Sequence, residues 1–200
     1  MWGLIIIVCM NILQIGCNIG DDEHSDLVKN SDSAVLVDAN PKCIEKVKNI
    51  YKDFSHIKYE TLAIIPVHIR GRKIKLFQEE DKETSGWASV YPNFVKAHCQ
   101  HSNLNSFESK TATLSKLLRK YNKTDHLIID TEGLDLLNIF SVDTCLFENI
   151  KKLTFEIIHC DGILRVGPKL KALLDYLKLR VLLKKHRTET APGGFTDDLV

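Results

Sequence analysis

Residues 12 to 20, Ile-Leu-Gln-Ile-Gly-Cys-Asn-Ile-Gly, carry an apolar run straight into a Gly-x-x-x-Gly turn. A buried parallel strand reads as a continuous apolar run, and glycines just past its end let backbone approach a ligand where a Cβ would collide. The next apolar run, Ala34 to Val37, ends at Asp38. That offset is close to the roughly 20 residues at which a carboxylate meets ribose hydroxyls in a nucleotide-binding βαβ unit. Gly16, Gly20 and Asp38 therefore mark a nucleotide pocket. The turn lacks the Gly-x-Gly-x-x-Gly spacing that holds a dinucleotide pyrophosphate, so a nicotinamide-dependent oxidoreductase fits less well.

Two hundred residues suit one domain, read here as spanning 1–200. Twenty-seven basic against twenty-six acidic side chains give a net charge of +1, which argues against a nucleic-acid partner held by phosphate neutralisation. Six scattered cysteines, several inside apolar segments, suit small buried hydrophobes in a reduced, cytoplasmic protein. His98, Cys99 and His101 lack a second ligand pair at matching spacing, so no metal is expected. Residues 1–11 form an apolar extension, and Trp2 to Ile15 is almost wholly apolar. No basic residue precedes it, and it is shorter than the roughly 18–20 residues that span a bilayer; stable membrane insertion is not expected.

Beyond the glycine turn, Pro41 starts a helix capped by Asn40, with Cys43, Ile44, Val47 and Ile50 on one face. Short strands are expected at Ile57 to Tyr59, Leu62 to Ile65 and Ile74 to Phe77. Gln78 to Ser109 is polar and weakly periodic, and is expected to be an irregular loop containing Ser85-Gly-Trp-Ala-Ser-Val, part of a substrate lid. Leu114, Leu117 and Leu118 mark a second helix. The strand Leu127 to Ile129 then delivers Asp130 and Glu132 at its carboxyl end, where ligands bind in open α/β sheets. Lys152 to Ile158 is the next strand, with His159 just beyond. A helix over 168–179 and two closing strands, at Val181 to Lys184 and Phe195 to Val200, complete the pattern. Strands alternating with helices imply an α/β fold, a mostly parallel sheet with helices on both faces.

Gly16-Cys-Asn-Ile-Gly, Val37-Asp-Ala-Asn-Pro, Thr113-Leu-Ser-Lys-Leu-Leu and Ile129-Asp-Thr-Glu-Gly-Leu-Asp follow one another in this order. With Phe155-Glu-Ile-Ile-His after them, the chain resembles the FkbM-type S-adenosylmethionine-dependent methyltransferases from about Ile12 onward. The resemblance implies a Rossmann-like class I methyltransferase sheet of seven strands with the last antiparallel. It also implies S-adenosyl-L-methionine as cofactor. Carried over by position, Gly16, Asn18 and Gly20 would line the methionine side, Asp38 would hold the ribose, and Asp130 would sit near the sulfonium. Gln14 belongs to the same cofactor-binding set but departs from the family, which usually carries an acid there. Asp38 likewise replaces a longer Glu, and little precedes the first strand, so the pocket is expected to be open or completed by a partner.

The implied activity is O-methylation of a sugar, glycolipid or small-metabolite hydroxyl, with a small-molecule or carbohydrate acceptor; a homo-oligomer is compatible with it. Asp130 is the first choice of catalytic base, His159 the second for its near-neutral imidazole, and Glu132 lies at the same edge. Helix capping by Asp130 or Glu132 is the plain structural alternative. The competing function is a non-catalytic binding or scaffold protein on the same fold, for which Gln14 is the best support.

Overall fold

A computed structural model of the protein describes residues 10–80, 82–99, 103–156, 188–190 and 196–199. Strand β1 (Asn11–Ile15) is followed by helix α1 (Ser25–Lys29), β2 (Ser33–Asp38), α2 (Pro41–Ile50) and β3 (Ile57–Thr61). An insertion then carries β4 (Ala63–Ile64), β5 (Lys73–Glu79), α3 (Pro92–His98) and β6 (Leu104–Ala112). The chain returns through α4 (Leu114–Lys120), β7 (His126–Ile129), α5 (Asp135–Phe140), a 3₁₀ turn (Thr144–Phe147) and β8 (Lys152–Glu156). Strands β9 (Thr188–Thr190) and β10 (Thr196–Leu199) close it.

The main sheet has seven strands in the order β3-β2-β1-β7-β8-β10-β9. From β3 to β8 every pairing is parallel, while β10 runs antiparallel to both β8 and β9, as the resemblance implied. The chain winds outward from β1 to β3 and then crosses to the other side of β1 to make β7. The order reverses between β1 and β7, where open α/β sheets bind ligands.

Period-2 alternation sorts the strand side chains onto two faces. Leu13, Ile15, Val35, Val37, Leu127 and Ile129 pack with Leu114, Leu117 and Leu118 of α4 and with Leu136 and Ile139 of α5. Ile12, Ala34, Leu36 and Ile128 face the other way, against Val28 of α1, Ile44 and Val47 of α2, and Tyr51 just past its end. Full burial of a side chain such as Leu13 or Leu36 stabilises by about 1.5–3 kcal/mol. Both main helices start as their sequences dictate: the Asn40 side chain accepts from Lys42 N, and Thr113 accepts from Lys116 N. Ile50, expected on the buried face of α2, is instead 46% exposed at the helix end.

The expected irregular loop at Gln78 to Ser109 is corrected by α3 and β6. Strand β6 pairs antiparallel with β5 and parallel with β4, giving a second, three-stranded sheet. Its pattern was hidden because β6 lies mostly at the surface, with only Ser109 and Ala112 buried. Helix α3 buries Phe94 and Val95 against Phe77, Trp87, Tyr91 and Leu104. Strand β10 falls within the closing strand expected at Phe195 to Val200, whereas β9, Thr188–Thr190, was not expected. The strand expected at Val181 to Lys184, the helix at 168–179 and His159 lie outside the described residues. No helix among the described residues is long and apolar enough to cross a membrane.

Candidate functional site

Beyond the carboxyl ends of β1, β2 and β7 lies a cavity of about 370 Å³. That volume is within the ordinary range for pockets that enclose a small organic ligand. One wall is the glycine turn with its acids: Gly16, Asn18, Asp22, Asp38 and Asp130. The other comes from the insertion: Leu62 to Ile65, Leu76 and every residue from Ser85 to Val90, joined by Thr131, Glu132 and Leu134.

The turn is built by hydrogen bonding and by left-handed backbone. Gly16 N and Cys17 N both donate to Val37 O, at 2.8 and 3.1 Å, tying the turn to the end of β2. Gly16, Asn18 and Gly20 have φ of 79°, 45° and 74°, a region that glycine enters freely and Asn tolerates. An added Cβ on Gly16 would strike the Asp130 carbonyl oxygen, and one on Gly20 would fall 2.8 Å from the Tyr51 ring. Gly16 thus serves the contact between β1 and β7 as well as the cavity. Gly20 stands behind the turn on α2, with the Tyr51 hydroxyl donating to its carbonyl at 2.6 Å, and is not part of the cavity wall.

Asp38 ends β2 and lines the cavity. Its Oδ2 accepts from Asn18 N at 2.9 Å and its Oδ1 from Asn40 N at 2.8 Å, so one carboxylate holds both the glycine turn and the start of α2. Burial pushes its carboxyl up to about 6, against the opposing pull of the backbone N–H groups of Asn40, Asn18 and Ala39. Each carboxylate oxygen retains acceptor capacity for a ligand hydroxyl.

Gln14 lies where sequence reading did not put it. Period 2 directs its side chain to the α1 and α2 face, away from the cavity wall, and it is 3% exposed. There its Nε2 donates to Asp22 Oδ2, while Asp22 Oδ1 accepts from His24 N at 2.9 Å. Asp22 itself lines the cavity. Sequence reasoning missed it, since nothing in an acid-rich stretch singles out one carboxylate before the fold aligns it with Gln14.

Asp130 and Glu132 both line the cavity. Asp130 N donates to Ile15 O at 2.9 Å, holding this residue at the end of β7. Glu132 has a φ of 48°, a strained value for a side-chain-bearing residue. Its surroundings enforce it. The buried Asp135 Oδ1 accepts from Thr131 N at 2.7 Å and from Thr131 Oγ1 at 3.0 Å, and the Ser89 hydroxyl donates to Glu132 O at 2.9 Å. Ser89 is in turn paired with Phe77 of β5, by N–H···O bonds of 2.8 and 3.0 Å.

At its other end the insertion is fastened to α2. The buried Asn40 amide donates to Glu83 O at 2.8 Å and to Gln78 Oε1 at 3.2 Å, and Lys42 Nζ pairs with Glu83 at 2.7 Å. The segment from Glu83 to Ser89 therefore crosses the cavity from the end of β2 to the end of β7. Trp87 stacks on His98 with ring centroids 4.7 Å apart, and it lines the cavity.

The described lining carries four carboxylates and no Lys, Arg or His. That charge suits a cationic ligand bearing hydroxyls, so the donor set fits S-adenosylmethionine. The neighbouring thiols of Cys17 and Cys43 are buried and stay protonated, the second pushed up to about 12 mainly by burial.

No family model and no curated protein matches the sequence. Among solved structures the chain is similar to a protein from Staphylococcus aureus described as a caffeoyl-CoA O-methyltransferase. Identity is 14%, the match covers 95% of this chain and 74% of that one, and the TM-score is 0.50. It is also similar to a precorrin-6y C5,15-methyltransferase from Geobacter metallireducens GS-15, at 11% identity, 95% and 76% coverage and a TM-score of 0.45. Both are named as methyltransferases. The fold is the Rossmann-like class I methyltransferase fold.

Proposed function

We propose that this chain is an S-adenosylmethionine-dependent methyltransferase of FkbM type that methylates a hydroxyl of a sugar, glycolipid or small metabolite. The observation that carries the reading is the convergence of Gly16, Asn18, Asp38 and Asp130 on one cavity at the point where the strand order reverses. The order of the sequence motifs supports the FkbM assignment.

When bound, the cofactor supplies a sulfonium-activated methyl group, so positioning and acceptor deprotonation are what the protein must add. Asp38 would accept from the ribose hydroxyls. Asp130, held at the end of β7 by its own backbone bond to Ile15, would orient the acceptor hydroxyl and take its proton. Glu132, two residues on, lines the other wall together with the segment from Ser85 to Val90. The absence of Lys, Arg and His from the described lining supports a small neutral acceptor over a nucleic acid. The non-catalytic reading rested on Gln14. An open cavity and the engagement of Gln14 with Asp22 both favour the enzyme.

The test is transfer of labelled methyl from S-adenosylmethionine to pools of sugars and glycolipids, small alcohols and amines. Label on a hydroxyl acceptor, reduced about 10²- to 10⁴-fold in Asp130→Asn, is the expected result. Label confined to amines would overturn the hydroxyl assignment. Cofactor bound with no transfer to any pool would favour the scaffold.

A further inference from the structure

We infer that Asp22 is the receptor for a ligand's cationic amino group and that Gln14 is its positioning residue, the pair replacing a carboxylate on β1 itself. The inference rests on the cofactor reading above, and names the residues that would select the cofactor's amino-acid end.

Asp22 lines the cavity beside Gly16 and Asn18, the part of the wall farthest in sequence from the acceptor-side insertion. Two donors fix its orientation, His24 N on Oδ1 and Gln14 Nε2 on Oδ2. Each oxygen accepts more than one hydrogen bond, so both keep a lone pair for a ligand. Among the described residues Asp22 makes no ion pair, and the described cavity wall offers no Lys, Arg or His to neutralise it. Its charge reaches the turn: the Cys17 thiol is raised chiefly by its burial, then by Asp38, Cys43 and Asp22.

Gln14 explains itself in the same terms. Its side chain points to the face where α1 and α2 pack, and meets Asp22 there rather than the ligand. An acid at position 14 would set a second carboxylate against Asp22. An amide instead supplies the N–H that orients it. The departure from the family pattern at Gln14 and the presence of Asp22 are one feature.

The experiment is titration of the full chain with S-adenosylhomocysteine and with 5′-methylthioadenosine, which keeps the nucleoside and thioether but has no amino-acid end. Asp22→Asn should weaken S-adenosylhomocysteine about tenfold or more and leave methylthioadenosine unchanged. Gln14→Glu and Gln14→Leu should shift the ratio of the two affinities the same way. Asp38→Ala should weaken both ligands. N-acetylated S-adenosylhomocysteine on the unaltered protein gives the same information without a variant, and should bind about tenfold more weakly or worse. If the unaltered protein binds both ligands and Asp22→Asn weakens neither, or both equally, or if N-acetylation changes nothing, the role of Asp22 is overturned and the cofactor reading stands. If the unaltered protein binds neither ligand, the cofactor reading falls and this inference falls with it.

Discussion

A Cβ placed on Gly16 would lie 1.6 Å from the carbonyl oxygen of Asp130, so the first glycine of the turn is where β1 and β7 touch backbone to backbone. The two ends of the proposed site are thereby set by one contact. Asp130 reaches the cavity at its height because Gly16 lets β7 lie against the turn.

Gly16→Ala should therefore damage the fold before it damages binding. The left-handed backbone costs about 1–2 kcal/mol for a residue with a Cβ, and the overlap adds about 1–3 kcal/mol. Gly86→Ala is the control, since its Cβ would meet only the Asn18 amide at an ordinary 3.5 Å. Urea unfolding of both variants checks this; equal stability would show that β1 and β7 do not need the glycine.

Ligand affinity should depend on pH through Asp38. Its folded-state carboxyl, raised to about 6, must be ionised to accept from ribose hydroxyls, so affinity for S-adenosylhomocysteine should fall as pH drops below about 6. Stability moves the other way. Between the ordinary carboxylate value of 3.8 and about 6 the folded chain holds a proton that the unfolded chain has released. The Asp38 contribution thus declines as pH rises through that window. Titrations on either side of pH 6 test the first statement, and Asp38→Ala should lose this pH dependence.

Asn40→Ala should loosen the strap. The substitution removes the α2 cap, worth about 1 kcal/mol, and both ties from Asn40 to the insertion at Glu83 and Gln78. Limited proteolysis should cut faster between residues 78 and 90 than in the unaltered protein. An unchanged cleavage rate would mean that Lys42 and Ser89 hold the strap without it.

Asp135→Ala should destabilise the chain by about 1–3 kcal/mol, because a buried carboxylate holding Thr131 N and Oγ1 is lost. Release of Thr131 also frees Glu132 from its left-handed conformation, so methyl transfer should fall by more than stability alone explains. Turnover retained at full value in folded variant protein would contradict that link.

Much of the scaffold was legible in the sequence because its signals are periodic or local. Leu13, Ile15, Val35, Val37, Leu127 and Ile129 form buried runs, Asn40-Pro41 announces α2, and Leu114, Leu117 and Leu118 give α4 its face. The insertion was not legible. Strand β6 is too exposed to alternate cleanly, and α3 buries little beyond Phe94 and Val95. Of the site, Asp38 and Asp130 follow from their places at strand ends. Gly20 lies against Tyr51 and outside the described cavity lining, a placement that its spacing in the turn did not reveal. Asp22 could not be found, because its importance arises from a side chain eight residues earlier.

The most direct test is calorimetric titration of the folded chain with S-adenosylhomocysteine, a product that needs no acceptor and cannot turn over. Saturable binding in the micromolar range, weakened by about 1–3 kcal/mol in Asp38→Ala, is the expected result. Folded protein that takes up no S-adenosylhomocysteine would contradict the assignment of this cavity to the cofactor.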